Sequence, residues 1–574
     1  MKKIPYGISN FERMIREDYY FVDKTMYIPA LEDAASYVFF LRPRRFGKSV
    51  FVDMLESYYD IYARDRFGEL FGNLWIGSHP TWNAHRFQVL RFDFSQAVAP
   101  LDRLEETFNR YCCRVLDEFI KKYHAMYDNG TVREVLESDR AGDKLVIIQL
   151  AAKRKRIPLY LIIDEYDNFT NIVLGNHGKE TFHKLTHAEG FYRDFFKILK
   201  PTFDRIIMIG VSPVTMDDLT SGYNIGRNIS QDRQFDSMLG FSEDELRRMI
   251  DYYRTEGVIT QTTDEVLDEM RPWYNNYCFS QRACGKESVY NSTMVLHYLN
   301  ALVDTGEAPE DMLDPNTRTD YSKLRQLIEI DRGIGREDRE SVIMDIANKG
   351  FCNMRLVTSF PALSVTEENN FRSLIYYYGM LSMHDIRGEM IRMAIPNQSV
   401  RMQYWKYVEQ IYSRLFSVGE TKLMELFYDF AYDGNWEPLM RYLGDEFERV
   451  SSVRDAIGGE HNVQGFFKAF LSRSNYYALC PEIELGYGYS DFLMIPQLHR
   501  FPDARHSYVV EVKYAKPSAP ESEVERLSKE ADTQLGRYLA DKKLIPMLEG
   551  TIVHPLKIIF HGPHMALCMQ EHIQ

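Results

Sequence analysis

The 574-residue chain has no run of eighteen apolar residues, so no membrane-spanning helix is expected. Its first residues, Met1-Lys2-Lys3-Ile4-Pro5-Tyr6-Gly7, carry two lysines but no apolar stretch behind them, and do not read as a secretory signal. Cysteine is sparse. The seven residues (Cys112, Cys113, Cys278, Cys284, Cys352, Cys480 and Cys568) are odd in number, and none has zinc-ligand spacing with a matching pair. That argues against a disulfide framework and a zinc finger, and points to reduced thiols in a cytoplasm. A basic excess is also lacking. The net charge of −14 speaks against a sequence-blind nucleic-acid coat protein, though not against a local basic site. Repeats and low-complexity segments are absent.

What is present is a globular composition, 45% hydrophobic and 26% charged, in a chain too long for one core, so two to four domains are expected. Strand-like runs at Val38–Leu41, Val89–Phe94, Leu159–Ile163 and Ile206–Val211 alternate with helical stretches, the pattern of a parallel α/β sheet. The first run leads through Arg42-Pro43-Arg44-Arg45-Phe46-Gly47-Lys48-Ser49 into an amphipathic segment, Val50 to Tyr59. A phosphate-binding loop needs this strand–loop–helix order. N–H groups at the helix start attract phosphate, the lysine adds a point charge, and the serine hydroxyl reaches Mg²⁺. The pattern G-x-x-x-x-G-K-[ST] would put its first glycine at position 42, which is Arg42.

The Leu159 run ends in Asp164-Glu165. An acid ending such a strand holds Mg²⁺, and the next Glu polarises the attacking water. Ser212, after the Ile206 run, either senses the γ-phosphate or caps the next helix. Arg227 and Arg233 stand where an arginine finger onto a second copy's γ-phosphate would sit, or are surface arginines. The basic tract Lys153–Arg156 reads as a solvated turn.

From about 291 to 450 helical periods dominate, with punctuation at Gly306–Pro315 and Gly333–Gly335. A helix, a turn at Gly379 and strands near Met383 and at Met390–Ile395 suggest a winged-helix-like module or an ordinary connector. The last part differs in chemistry. A Gly-rich turn, Glu484 to Ser490, leads to Asp491 in an apolar strand, and Tyr508-Val509-Val510-Glu511-Val512-Lys513 follows. Glu511 and Lys513 leave one face of a strand, and such a pair is costly unless paired or metal-bound. Asp491 and Glu511 on adjacent strands would form a Mg²⁺ site, with Lys513 serving the water, for phosphodiester hydrolysis. The competing view is a sheet-edge ion pair with a structural Asp. Pro517 to Asp532 reads as an exposed helix, Ala531 to Tyr538 as a helix, and Leu556–Phe560 as the closing strand.

Together with Ile4-Pro5-Tyr6-Gly7, Tyr20–Thr25, Phe92–Ser95, Ile162–Asp167, Gly210–Pro213, Trp273–Tyr277 and Ile395–Asn397, these motifs resemble a bacterial family of AAA-ATPase-like proteins with a C-terminal PD-(D/E)XK nuclease-superfamily domain. The resemblance covers nearly the whole chain, and Arg-Pro-Arg-Arg-Phe-Gly-Lys-Ser is the loop form that the family uses. It implies Lys48 and Ser49 at the phosphates and Mg²⁺, with Asp164 and Glu165 as the acidic pair; the residues expected at the nucleotide are Arg45, Gly47, Lys48, Ser49, Asp164 and Ser212, with Ser49 and Asp164 at its Mg²⁺ and Glu165 catalytic. In the nuclease-like part it implies Asp491, Glu511 and Lys513 as catalytic, Asp491, Glu511 and Glu460 at metal, and Gln534 as a helical glutamine. Two departures stand out: Val463-Gln464-Gly465 replaces Tyr-His-Gly, and Tyr489 replaces an arginine.

The expected architecture is α/β, in three parts. Residues 1–290 form an AAA/ASCE-like P-loop domain with a parallel sheet, 291–450 a helical or winged-helix-like middle, and 451–574 a restriction-endonuclease-like α/β domain. The expected function is an ATP-binding and ATP-hydrolysing protein coupled to a Mg²⁺-dependent nuclease (Mn²⁺ also fitting its metal site). Its substrate would be nucleic acid, in the first instance DNA, and its role defence against mobile DNA. The alternatives are an ATP-driven assembly switch whose C-terminal domain only binds nucleic acid or protein, and an ATPase with a dead nuclease fold. ATP, nucleic acid and further copies of the chain are the expected partners, with no membrane.

Overall fold

The computed structural model describes residues 1–97, 103–186, 190–214, 226–314, 327–328, 336–413, 416, 418–451, 459–481, 484–485, 488–498 and 500–571. Pro315, Gly333–Gly335 and the Gly486-Tyr487 part of the glycine-rich turn lie outside the described residues. Two compact units result: residues 1–339 with 353–397, and residues 340–352 with 398–574. The 291–450 stretch is divided between them.

The first unit is built on a parallel sheet of β1 (Tyr37–Leu41), β2 (Gln88–Asp93), β3 (Leu159–Asp164), β4 (Arg205–Gly210) and β5 (Arg227–Asn228), in the order β2-β3-β4-β1-β5. Every residue of β3, and all but the first of β1 and β4, is buried. Continuous apolar runs of this kind suit a parallel sheet covered on both faces. Because β4 lies between β1 and β3, the loops leaving β1 and β3 flank a crevice at the strands' C-terminal ends. Ligands of open parallel sheets bind there.

Helix α1 (Phe11–Arg16) precedes the sheet, and α2 (Lys48–Tyr59) leaves the loop after β1. The tract Lys153–Arg156 is exposed, as expected. It forms the last turn and cap of the helix Ala141–Lys155 rather than a free turn, and its cations suit the negative end of that helix. The helix–turn–hairpin is present as Glu368–Tyr377, Gly379, β6 (Ser382–Arg387) and β7 (Met390–Ala394). Gly379 has φ +76°, and a Cβ there would come within 2.7 Å of the Pro43 side chain, so glycine is required on both counts.

The second unit has a five-stranded mixed sheet. Its strands are β8 (Tyr477–Pro481), β9 (Phe492–Pro496), β10 (His506–Ala515), β11 (Ile552–His561) and β12 (His564–Gln570), in the order β12-β11-β10-β9-β8. Only β10 and β11 run parallel. Helix α3 (Glu460–Leu471) meets the sheet through Phe467 against Phe560. Helix α4 (Glu521–Leu539) packs Leu535 and Tyr538 with Leu493 and Val509. The alternation of β10 and β11 puts these two helices on opposite faces.

Three expectations change here. The helix expected to be exposed at 517–532 starts at Glu521 and buries Leu527, Ala531, Leu535 and Tyr538, a stripe that its dense charge conceals. Leu556–Phe560 does not close the unit, because β12 follows it and β8 supplies the other edge. Asp491 stands one residue before its strand rather than inside it.

Candidate functional site

The crevice of the first unit holds the loop that ends in Gly47-Lys48-Ser49. Lys48 and Ser49 begin α2, with Gly47 as its N-cap at φ +87°, a conformation that glycine tolerates without a Cβ penalty. Arg45 takes φ +72° and Glu165 φ +51°, both sparsely populated for residues with a side chain. Only 4% of Lys48 is exposed. Its Nζ donates to the carbonyls of Arg42 (3.2 Å) and Pro43 (3.0 Å) and lies 3.9 Å from Glu165 Oε1. The Ser292 and Thr293 hydroxyls, at the start of a helix running to Thr305, both donate to the Arg45 carbonyl and brace the loop from the other side.

Arg42 accounts for the missing glycine. Its backbone is not left-handed, so nothing there demands glycine. Its side chain turns into the protein, donating to the carbonyls of Leu41, Ser230 and Phe235 at 2.9, 2.7 and 2.9 Å. The guanidinium lies 4.3 Å from the Phe40 ring and 4.2 Å from the Phe279 ring. Burial pushes its pKa down, with Asp236 opposing.

Asp164 and Asp93 end β3 and β2 side by side. The Asp164 carboxyl is raised by burial and by Glu165, against the pull of Lys48 and Arg91. A cavity of about 360 Å³ joins Lys48, Ser49 and Glu165 to apolar walls that include Tyr6, Tyr20 and Phe241. A phosphate-charged end against an apolar end is the donor set a nucleotide needs, and the volume suits a small ligand. Ser49 lines this cavity, whereas Asp164 is buried and does not.

Ser212 is fully buried and does not line this cavity. Its hydroxyl accepts from Val214 N, its N–H donates to Asp167 (2.7 Å), and its carbonyl accepts from the Tyr166 hydroxyl (2.7 Å). Tyr166 and Asp167 therefore grip the end of β4, a role the motif Ile162–Asp167 did not announce. Arg227 and Arg233 are exposed and paired with Asp232 (2.7 Å) and Glu287 (3.0 Å), away from Lys48.

In the second unit, Asp491 and Glu511 come together as expected. Asp491 Oδ1 accepts from the Gln464 side-chain amide at 2.9 Å and Oδ2 from Val512 N at 2.6 Å. Glu511, 1% exposed, meets Lys513 Nζ through Oε1 at 2.7 Å. Burial raises the carboxyls of both acids. Asp491 further raises Glu511, while Lys468 and Lys513 restrain Asp491. Burial pushes the Lys513 ammonium down, but Glu511 and Asp491 outweigh it and hold it above its usual value.

Glu460, Gln464 and Lys468 share one face of α3 at helical spacing. Gln464, at one of the two departures from the family pattern, thus holds the Asp491 carboxylate. It escaped sequence reasoning because its partner Asp491 is 27 positions away. The backbone of Tyr489 pairs with that of Glu484 in a short antiparallel pair at the turn.

Among the described residues, no three His, Cys, Asp or Glu side chains are gathered into a complete metal sphere, so Glu460, Asp491 and Glu511 do not form one. Two carboxylates with water and substrate phosphate suffice for magnesium. Glu511 Oε2 is buried without a hydrogen-bond partner, as is Gln534 Oε1 on α4. Such orphaned acceptors are what a cation or its water would satisfy.

No helix among the described residues is long and apolar enough to cross a membrane. Residues 5–220 match the family model described as predicted AAA-ATPase, and residues 458–569 match that of the PD-(D/E)XK nuclease superfamily. An uncharacterized protein in the vnfD 5′ region of Azotobacter chroococcum mcd 1 is 28% identical over 299 residues, 50% of either chain. The chain therefore spans about half the length of that relative.

Proposed function

The chain joins an AAA-ATPase-like domain to a PD-(D/E)XK nuclease-superfamily domain, and on that premise we propose that it is an ATP-regulated, magnesium-dependent nuclease acting on DNA. The observation that carries this reading is the Asp491–Glu511–Lys513 cluster, in which the buried Glu511 keeps an unpartnered oxygen. A divalent ion held by Asp491 and Glu511 would supply Lewis acidity and a low-pKa water for phosphodiester hydrolysis. Gln464 and the Val512 N–H orient Asp491. Lys513 holds Glu511 and offers charge to the phosphate undergoing attack. At the other site Lys48 and Ser49 take the ATP phosphates, Asp164 the magnesium, and Glu165 the attacking water. The free thiols of all seven cysteines fit a cytoplasmic location. Defence against mobile DNA is the role we assign by analogy with other ATPase–nuclease fusions.

The test is cleavage of plasmid, linear and single-stranded DNA and of RNA, with Mg²⁺ or Mn²⁺, with and without ATP. Wild type should cut DNA, and Asp491→Ala should not while still binding ATP. Cleavage by the Asp491→Ala, Glu511→Ala double variant would refute the site. A second reading has an observation of its own: both Asp491 oxygens are already hydrogen-bonded. An ATP-driven assembly switch with a binding-only C-terminal domain would show retention of nucleic acid without cleavage under every condition.

A further inference from the structure

Arg91, in the middle of β2, reaches across to the acid that ends β3. Its Nη2 lies 3.6 Å from Asp164 Oδ2, and its Nη1 lies 3.0 Å from Asp53 and 3.5 Å from Glu56 on α2. Arg91 is thus held by two acids of the phosphate-loop helix while it leans on the acid next to Glu165. The second oxygen of Asp53 accepts from Phe11 N at 2.7 Å, at the first residue of α1. Pro5 to Ser9, just before α1, wall the cavity that holds Lys48. Burial opposes the Arg91 charge, but Glu56, Asp164 and Asp53 outweigh it.

Asp164 is a buried carboxylate beside Asp93 and Glu165, so it needs a counter-charge whenever no metal neutralises it. Lys48 supplies part of that charge, but Lys48 is the cation that nucleotide phosphates would claim. Arg91 lies on the other side and has two further acids to retreat to.

We propose that Arg91 is the resident counter-ion of Asp164, competing with magnesium for that carboxylate and retiring onto Asp53 and Glu56 when magnesium binds with nucleotide. Arg91 is thereby a positioning residue that sets how strongly nucleotide binding depends on magnesium. The inference rests on the reading of this cavity as an ATP site.

The linkage has a definite sign. Without magnesium, Arg91 screens Asp164 from the phosphates and helps nucleotide to bind. With magnesium, the Arg91–Asp164 attraction must be given up, which weakens metal binding. Removing the charge should therefore weaken metal-free binding and strengthen the magnesium contribution together, because coupling between two ligands of one site is reciprocal.

The experiment uses the full chain and a fluorescent, non-hydrolysable ATP analogue, titrated in excess EDTA and again in excess Mg²⁺. For Arg91→Gln, the ratio of the two dissociation constants should grow about tenfold over wild type, the order expected for one partly buried charge pair. Arg91→Lys should restore the ratio to within about threefold of wild type; Arg91→Gln should melt below wild type in EDTA, where Asp164, Asp53 and Glu56 lose their cation, while both variants stay folded at the titration temperature. An unchanged ratio in a folded Arg91→Gln protein overturns the inference. So does an equal loss of affinity in both titrations, which marks a merely structural arginine. If wild type and Lys48→Ala bind the analogue equally poorly in both titrations, the ATP reading itself fails, and that outcome is distinct from either of these.

Discussion

Restoring the glycine that the phosphate-loop pattern asks for at position 42 should damage this protein. Arg42→Gly removes the hydrogen bonds from a charged donor to the carbonyls of Leu41, Ser230 and Phe235, and a longer one to that of Asp236. Each is worth about 1.5–3 kcal/mol. It also removes contacts with two aromatic rings, at about 1 kcal/mol each, and strips Asp236 of its nearby cation. Relief of the buried guanidinium's desolvation offsets part of this, and the bonds do not add independently. A net loss of about 4 kcal/mol remains, near the cost of breaking a buried charged contact from one side. With an unfolding entropy of about 2.1 cal/mol/K per residue, a unit of this size shifts by about 1 °C per kcal/mol, so calorimetry should show the Arg42→Gly transition lowered by about 5 °C. ATP binding should weaken as well, since the start of the loop loses its tether to residues 230–235. Arg42→Lys, with its charge intact but no fork to span three carbonyls, should fall between. A transition within about 2 °C of wild type, or tighter ATP binding, would refute the reasoning.

Lys48→Ala should abolish ATP binding, whereas Glu165→Gln should bind ATP normally and hydrolyse it at least about 100-fold more slowly; calorimetry with a phosphate-release assay separates the two. Gln464→Ala should lower cleavage about tenfold or more and weaken the divalent-metal stabilisation of the fold, because the amide that orients Asp491 is lost; wild-type metal-induced shifts in melting temperature would contradict this. The carboxyls of Asp491 and Glu511 are raised above their ordinary range, so the folded protein retains protons there that the unfolded chain gives up. Their contribution to metal-free stability should accordingly fall as pH rises through that interval, while stabilisation by Mg²⁺ or Mn²⁺, which needs both ionised, should grow. Melting in EDTA and in metal from about pH 5 to about pH 8 checks this against an Asp491→Asn, Glu511→Gln double variant. That comparison cancels His506, whose pKa is lowered by burial and by His554 and which loses stability on the acid side.

Four strands of the first unit's sheet were legible because each is an apolar run, interrupted in β2 by Arg91, that leads into a polar or small residue, whereas the polar pair Arg227–Asn228 of β5 carries no such signal. Observed strands at Tyr37–Leu41, Gln88–Asp93, Leu159–Asp164 and Arg205–Gly210 lie within a residue or two of the runs that announced them. The Glu511–Lys513 pair was legible for a similar reason, since two-residue spacing on a strand decides by itself that both side chains share a face. The edge strands Tyr477–Pro481 and His564–Gln570 were missed because both are short and built from Ala, Leu, Met and Cys rather than β-branched residues, so neither composition nor alternation marks them as strands. Arg42 showed only what it was not. Its acceptors, 188 and 193 positions away, exist only once the chain has folded. The same holds for Gln464 with Asp491 and for Arg91 with Asp53 and Asp164.

Both sites meet one electrostatic problem, a buried carboxylate that must stay near-ionised to receive a divalent ion. Each meets it with two cations, Lys48 and Arg91 about Asp164, and Lys468 and Lys513 about Asp491. In the nuclease-like unit one cation, Lys513, lies two residues along the strand from the acid that it binds, so the Glu511 contact persists as long as that strand does. In the ATPase-like unit the cations come from separate elements, α2 and β2, and one of them, Arg91, is also bound to the helix that follows the phosphate loop. A ligand that draws Lys48 toward phosphate therefore disturbs the partners of Asp164 on two elements at once. On the proposed reading, ligand binding should therefore rearrange more ion pairs at the Lys48 site than at the carboxylate cluster.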